Sequence, residues 1–124
     1  MRASILKQNR YLIASVQGSM SDTDLVQLRE ELAADVRQYR STGVVIDVGS
    51  LDVMDSFAVR TLRNIAQMAK LLGAQCVVVG IQPDVAFSMV QLGLTLEGTM
   101  TALDLEDGLA LLAERDAETA AAHE

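Results

Sequence analysis

Leu51-Asp52-Val53-Met54-Asp55-Ser56-Phe57-Ala58-Val59-Arg60 lies between two segments of different periodicity. Before it, Val44-Val45-Ile46-Asp47-Val48 is nearly continuous β-branched residue, the pattern of a central strand buried on both faces. After it, from Ser56 to about Leu72, Val59, Leu62, Ile65, Ala66, Ala69 and Leu72 recur at helical spacing. Arg60, Arg63, Asn64, Gln67 and Lys70 take the outer face. The quoted stretch is therefore a strand-to-helix turn carrying two carboxylates, Asp52 and Asp55, and one hydroxyl, Ser56. The first amides of a helix lack partners and its dipole is positive there, so such a turn favours an anion. On pattern alone Ser56 is a helix N-cap, a role worth ~1 kcal/mol. The same geometry suits a serine that carries a phosphate in one of two states.

Working outward, Ser4 to Lys7 and Tyr11 to Val16 read as a hairpin closed by Gly18. Ser21 with Asp24 three residues on forms a capping-box pattern, and Asp22 adds charge to the first turn. Leu25, Leu28, Leu32 and Val36 line the helix that follows, and Gly43 marks its exit. Downstream, Gly73 is placed as the C-cap of the second helix, and Ala74 to Val79 as a buried strand ending at Gly80. Pro83 fits the first position of a short helix carrying Val85, Ala86, Met89 and Val90. Thr95 to Met100 reads as a weaker strand, Thr101 and Asp104 as a second capping pair, and Leu105, Leu109 and Leu112 as the stripe of a last helix. The expected fold is α/β, a mixed sheet of about five strands with four helices in the order ββαβαβαβα. Residues 1–115 are expected to form one domain and 116–124 a flexible C-terminal tail.

Composition narrows the chemistry. A chain of 124 residues with net charge −7 opposes nucleic-acid phosphates and anionic lipid. Half of it is hydrophobic but only four residues are aromatic, so the core must be aliphatic. Cys76, the only cysteine, sits in the apolar run Cys76-Val77-Val78-Val79 and reads as a small buried hydrophobe rather than a disulfide or zinc ligand. The only histidine is His123, near the end of the expected tail, so no histidine triad or histidine metal cluster can be assembled. The first residues lack a signal-peptide pattern, and no run approaches the ~20 apolar residues a membrane helix needs. A cytoplasmic protein with no cofactor, no metal and no membrane or nucleic-acid partner is expected.

With the element order in place, the strand Val44–Val48, Met54-Asp55-Ser56 opening a helix, and Gly80-Ile81-Gln82-Pro83-Asp84-Val85-Ala86 resemble the STAS domain (sulfate transporter and anti-sigma factor antagonist). The similarity covers about Ile5 to Leu112 and leans towards the stressosome branch of RsbS type. Many antagonists of the family read Asp-Ser-Ser-Gly or Asp-Ser-Thr-Gly at this turn. Here Asp55-Ser56-Phe57-Ala58 leaves a single hydroxyl. The resemblance implies a scaffold that assembles as homo- and hetero-oligomer with RsbR-like STAS proteins and sequesters an RsbT-like switch kinase. Ser56 would be the phosphorylated residue, and an RsbX-like phosphatase would reset it. Such a chain of this length has no room for the extra N-terminal sensory domain of RsbR-type proteins. Asp52, Asp55 and Phe57 would flank the switch and meet the partner, with Phe57 read first as core. Ser88, in the third helix, is where RsbR-like chains can carry a phosphorylatable threonine, although a solvated helical serine is its plainer reading.

Other classes fit less well. An acyl-phosphate receiver built on Asp47 needs an acidic pair at the end of the first strand, and Ser4-Ile5-Leu6-Lys7 supplies none. There is no Gly-rich phosphate loop and no G-x-G-x-x-G. Glu30-Glu31 and Glu106-Asp107 fall on outer helix faces and read as solvation. No catalysis is expected. A further reading keeps the fold but gives it another role, that of a freestanding anti-sigma factor antagonist that binds an anti-sigma kinase under control of Ser56 phosphorylation.

Overall fold

The computed structural model describes residues 4–18 and 20–122, so Met1 to Ala3 and His123 lie outside the described residues. The elements run β1 (Ser4–Gln8), β2 (Tyr11–Ser15), α1 (Asp22–Tyr39), β3 (Gly43–Asp47), α2 (Ser56–Leu71), β4 (Gln75–Val79), α3 (Pro83–Gln91), β5 (Met100–Ala102) and α4 (Leu105–Ala122). The sheet order equals the chain order: β1 pairs antiparallel with β2, and β2, β3, β4 and β5 are mutually parallel. This is the expected mixed sheet, with the elements in the expected order.

Alternation along β2, β3 and β4 divides the core. Leu12, Ala14, Val44, Ile46, Cys76 and Val78 point to the face covered by α1, α2 and α3. Ile13, Val45, Val77 and Val79 point to the face covered by α4, where Leu112 packs on them. Cys76 is buried, and loss of solvent pushes its thiol up to about 12, which keeps it protonated and inert.

The capping box of α1 is present in full: the Ser21 hydroxyl accepts from the Asp24 amide at 3.1 Å, and the Asp24 carboxylate accepts from the Ser21 amide at 2.8 Å. Three expectations are corrected. The exit of α1 falls earlier than Gly43, at Arg40, whose backbone is left-handed at φ 51°. The last strand is not Thr95 to Met100 but Met100–Ala102. Gly98 turns the chain at φ 76°, and Leu94 and Leu96 pack on the core from a loop. The tail expected from residue 116 is helical through Ala122.

That continuation is held at Asp116. Its Oδ2 accepts hydrogen bonds from the Tyr11 hydroxyl at 2.8 Å and the Thr42 hydroxyl at 3.0 Å. Burial first, then the hydrogen bond and charge of Asp116, raise the Tyr11 phenol above its ordinary value, against a lowering by Arg10. A raised phenol stabilises the fold fully below the unfolded value of 10.0 and stops doing so as pH rises through the folded value. Asp116→Ala should therefore move the Tyr11 titration down and flatten the alkaline loss of stability. Phenolate absorbance and alkaline unfolding curves, with Tyr39 common to both proteins, check this. An unchanged titration would place Tyr11 outside Asp116's influence.

Candidate functional site

β3 delivers the chain to the top of the sheet, and the loop to α2 is pinned at several points. The Asp47 carboxylate accepts from the Gly49 amide at 2.8 Å, and Val48 donates to the Val79 carbonyl at 3.0 Å. Asp47, the residue an acyl-phosphate reading would use, thus braces its own turn. Gly80, at φ 81°, lets two backbones meet, since a Cβ there would fall 3.3 Å from Gly49 Cα. From the start of α3, the Gln82 side-chain amide donates to the Gly49 carbonyl at 2.9 Å. Leu51 and Met54 are buried and act as two further anchors. Between and beyond them Asp52, Val53, Asp55 and Ser56 are exposed, Val53 by 76%.

The cap of α2 is Asp55, not Ser56. Its carboxylate accepts from the Ala58 amide at 2.8 Å, and Ser56 occupies the first helical position. A carboxylate one residue earlier reaches the third amide of the helix, which a serine already inside the first turn cannot do. The Ser56 hydroxyl is thereby left exposed and, among the described residues, without a hydrogen bond. The amides of Ser56 and Phe57 likewise have no partner among the described residues. Phe57 is half-buried against the α1–α2 side of the core rather than presented to solvent. Asp52 projects from the loop. Beside them a cleft of about 160 Å³ opens between the starts of α1 and α2, with Leu25 and Leu62 in its floor and Asp22 and Asp55 on its rim.

The exposed phenylalanine is elsewhere. On α3, Val85 and Met89 are buried, while Phe87 is 64% and Val90 78% exposed. Ser88 is exposed between them. Periodicity places Val90 on the helix but does not say which apolar residues stay outside. The signal that could have shown it is the surplus: a nine-residue helix with one buried stripe has apolar residues to spare. Gln82 ties the start of α3 to Gly49 of the β3–α2 loop.

What this arrangement offers is recognition. An acidic, partly apolar surface surrounds one free hydroxyl and two free amides, and no group of three or more potential metal ligands occurs among the described residues. Comparison with known proteins fits this chemistry. The STAS domain profile matches residues 2–107. A serine-to-glutamate variant of RsbS from Moorella thermoacetica is 36% identical, with a TM-score of 0.81 over 94% of this chain and 99% of that one. A chain from a solved structure of the stressosome, described as a signal integration and transduction hub, is 37% identical. Its TM-score is 0.78 over 91% and 98% of the two chains. The RsbT co-antagonist protein RsbRA of Bacillus subtilis is 28% identical over 92 residues, which is 74% of this chain but only 34% of RsbRA.

Proposed function

The chain belongs to the STAS domain family, and on that premise we propose that it is a non-catalytic scaffold of bacterial stress signalling whose output is controlled at Ser56. It assembles in the cytoplasm with RsbR-like STAS proteins, alone or mixed, into a stressosome-type particle and sequesters an RsbT-like kinase. Phosphorylation of Ser56 by that kinase releases it, and an RsbX-like phosphatase restores the first state. The near-complete overlap with RsbS and with a stressosome chain supports the assembly, and the partial match to RsbRA supports the partner class.

One observation carries the switch: among the described residues the exposed Ser56 hydroxyl makes no hydrogen bond and the amides of Ser56 and Phe57 have no partner, directly after Asp55 in the turn that also carries Asp52. A phosphate there is held locally by the amides, so the fold survives, while the surface gains about −1.5 to −2 charges among carboxylates. A partner lying on that surface meets repulsion and a desolvation cost. Phe87 and Val90 supply the apolar anchor such a partner needs. Phe87→Ser should weaken kinase binding by roughly tenfold or more, read by calorimetry, with the melting temperature retained. Equal affinity would remove α3 from the docking face.

Light scattering after size exclusion, with and without an RsbR-like protein, tests the scaffold. A megadalton co-assembly is the expected result. A monomer or dimer in both cases would leave the freestanding antagonist as the reading, with Ser56 still the switch.

A further inference from the structure

A second surface lies at the end of β3 away from Ser56. β3 spans five residues from Gly43 to Asp47, roughly 15 Å, so Ser41 and Thr42 mark the opposite pole. There the C-terminal ends of α1 and α2 flank a cleft of about 440 Å³, lined among others by Arg37, Arg40, Thr42, Leu71 and Leu72. The lining holds two arginines and no carboxylate, in a chain whose net charge is −7. An adjoining hollow shares Thr42 and Gly73 and brings Lys70 and Arg115 to the same pole. Of its two carboxylates, Glu118 and Asp116, the latter is already engaged by Tyr11 and Thr42.

Helix dipoles explain part of this charge, since a C-terminus favours one basic residue. They do not explain the rest. Several of the end carbonyls are already engaged: Val36 accepts from the Arg40 and Ser41 amides, and Met68, Ala69 and Lys70 accept from the amides of 72–74. Arg40 holds its cation in a left-handed backbone that asparagine or glycine would adopt with less strain. Leu71 is 88% exposed and Leu72 39%, so the cationic rim encloses apolar surface as well.

We propose that this basal cleft docks an acidic peptide segment of a partner protein, its carboxylates on Arg37 and Arg40 and a branched apolar side chain on Leu71 and Leu72. The cleft's own lining pairs two cations, Arg37 and Arg40, with the apolar Leu71 and Leu72. Such a mixed surface suits an acidic and apolar peptide better than a lipid headgroup layer, which is held by clusters of about 4–8 basic residues. Occupation of this pole leaves the Ser56 face open, so the inference does not rest on the switch reading.

The test is an amide-resonance titration of the full chain with a blocked octapeptide of alternating glutamate and leucine. Shifts confined to residues 36–42 and 70–75 are expected. The double variant Arg37→Gln, Arg40→Asn keeps a residue tolerant of the left-handed backbone at 40 and should bind roughly tenfold more weakly or worse. Leu71→Gln should weaken binding separately, which keeps the outcome readable if the double variant is unstable. No shifts at the cleft would overturn the proposal, as would equal binding of an all-glutamate peptide. It would also fall if phosphatidylserine vesicles competed better than the peptide, or if the shifts followed protein concentration alone, which would make the occupant a second copy.

Discussion

Incubated with ATP and its cognate kinase, the wild-type chain should gain the mass of one phosphoryl group, and Ser56→Ala should gain none. The kinase should stay bound to the alanine variant and leave the wild type as the reaction proceeds. A loss of only ~3 kcal/mol of binding weakens a complex more than a hundredfold, so the proposed release requires no more than that much repulsion from a new dianion near Asp52 and Asp55. The variant is clean because the cap of α2 is Asp55 and the Ser56 hydroxyl makes no hydrogen bond among the described residues. Its stability should therefore change by less than about 0.5 kcal/mol, as for an ordinary surface substitution. Failure to release the kinase then reports chemistry rather than unfolding. Phosphorylation of Ser56→Ala elsewhere, or release of the kinase from it at the wild-type rate, would end the switch reading.

Gly108→Val should lower the melting temperature by roughly 10 °C, the equivalent of about 3 kcal/mol for a domain of this size. Gly108 is a buried residue of α4 facing the sheet, and a Cβ there would fall 2.6 Å from Val79 Cγ1 and 3.4 Å from Val77 Cγ1. Val79 is fully buried in β4 and stiff about χ1, so it cannot turn aside, and α4 must lift instead. Gly108→Ala gains ~1 kcal/mol of helix propensity yet should be no more stable than the wild type, because the same contact opposes it. Thermal unfolding of both variants decides the matter, and a stabilised alanine variant would show that α4 sits further from the sheet. Kinase binding by either folded variant should be retained, since α4 covers the face opposite α2.

The site was legible only in part. Asp52, Asp55 and Ser56 stood out because an acidic pair and a hydroxyl interrupt two strongly periodic segments. That Asp55 rather than Ser56 caps the helix depended on backbone geometry at one residue, which composition does not record. Phe57 attracted attention for its place in the chain, while Phe87, the more exposed of the two phenylalanines, lies in a helix whose buried stripe is set by contacts with distant strands.

Sequence alone determined the succession of elements, the inward positions of α1 and most of those of α2 (Leu72, expected inward, is exposed, and Thr61 is buried), the box at Ser21 and the strand character of β3 and β4. Each of these follows from preferences acting within a few residues. Tertiary structure alone decided the short β5, the seating of α4 on Gly108, the anchoring of residues beyond 115 through Asp116, and the gathering of Arg37, Arg40, Lys70 and Arg115 at the pole opposite Ser56. Those features arise where residues far apart in the chain meet, and there close packing and shared hydrogen bonds override local propensity.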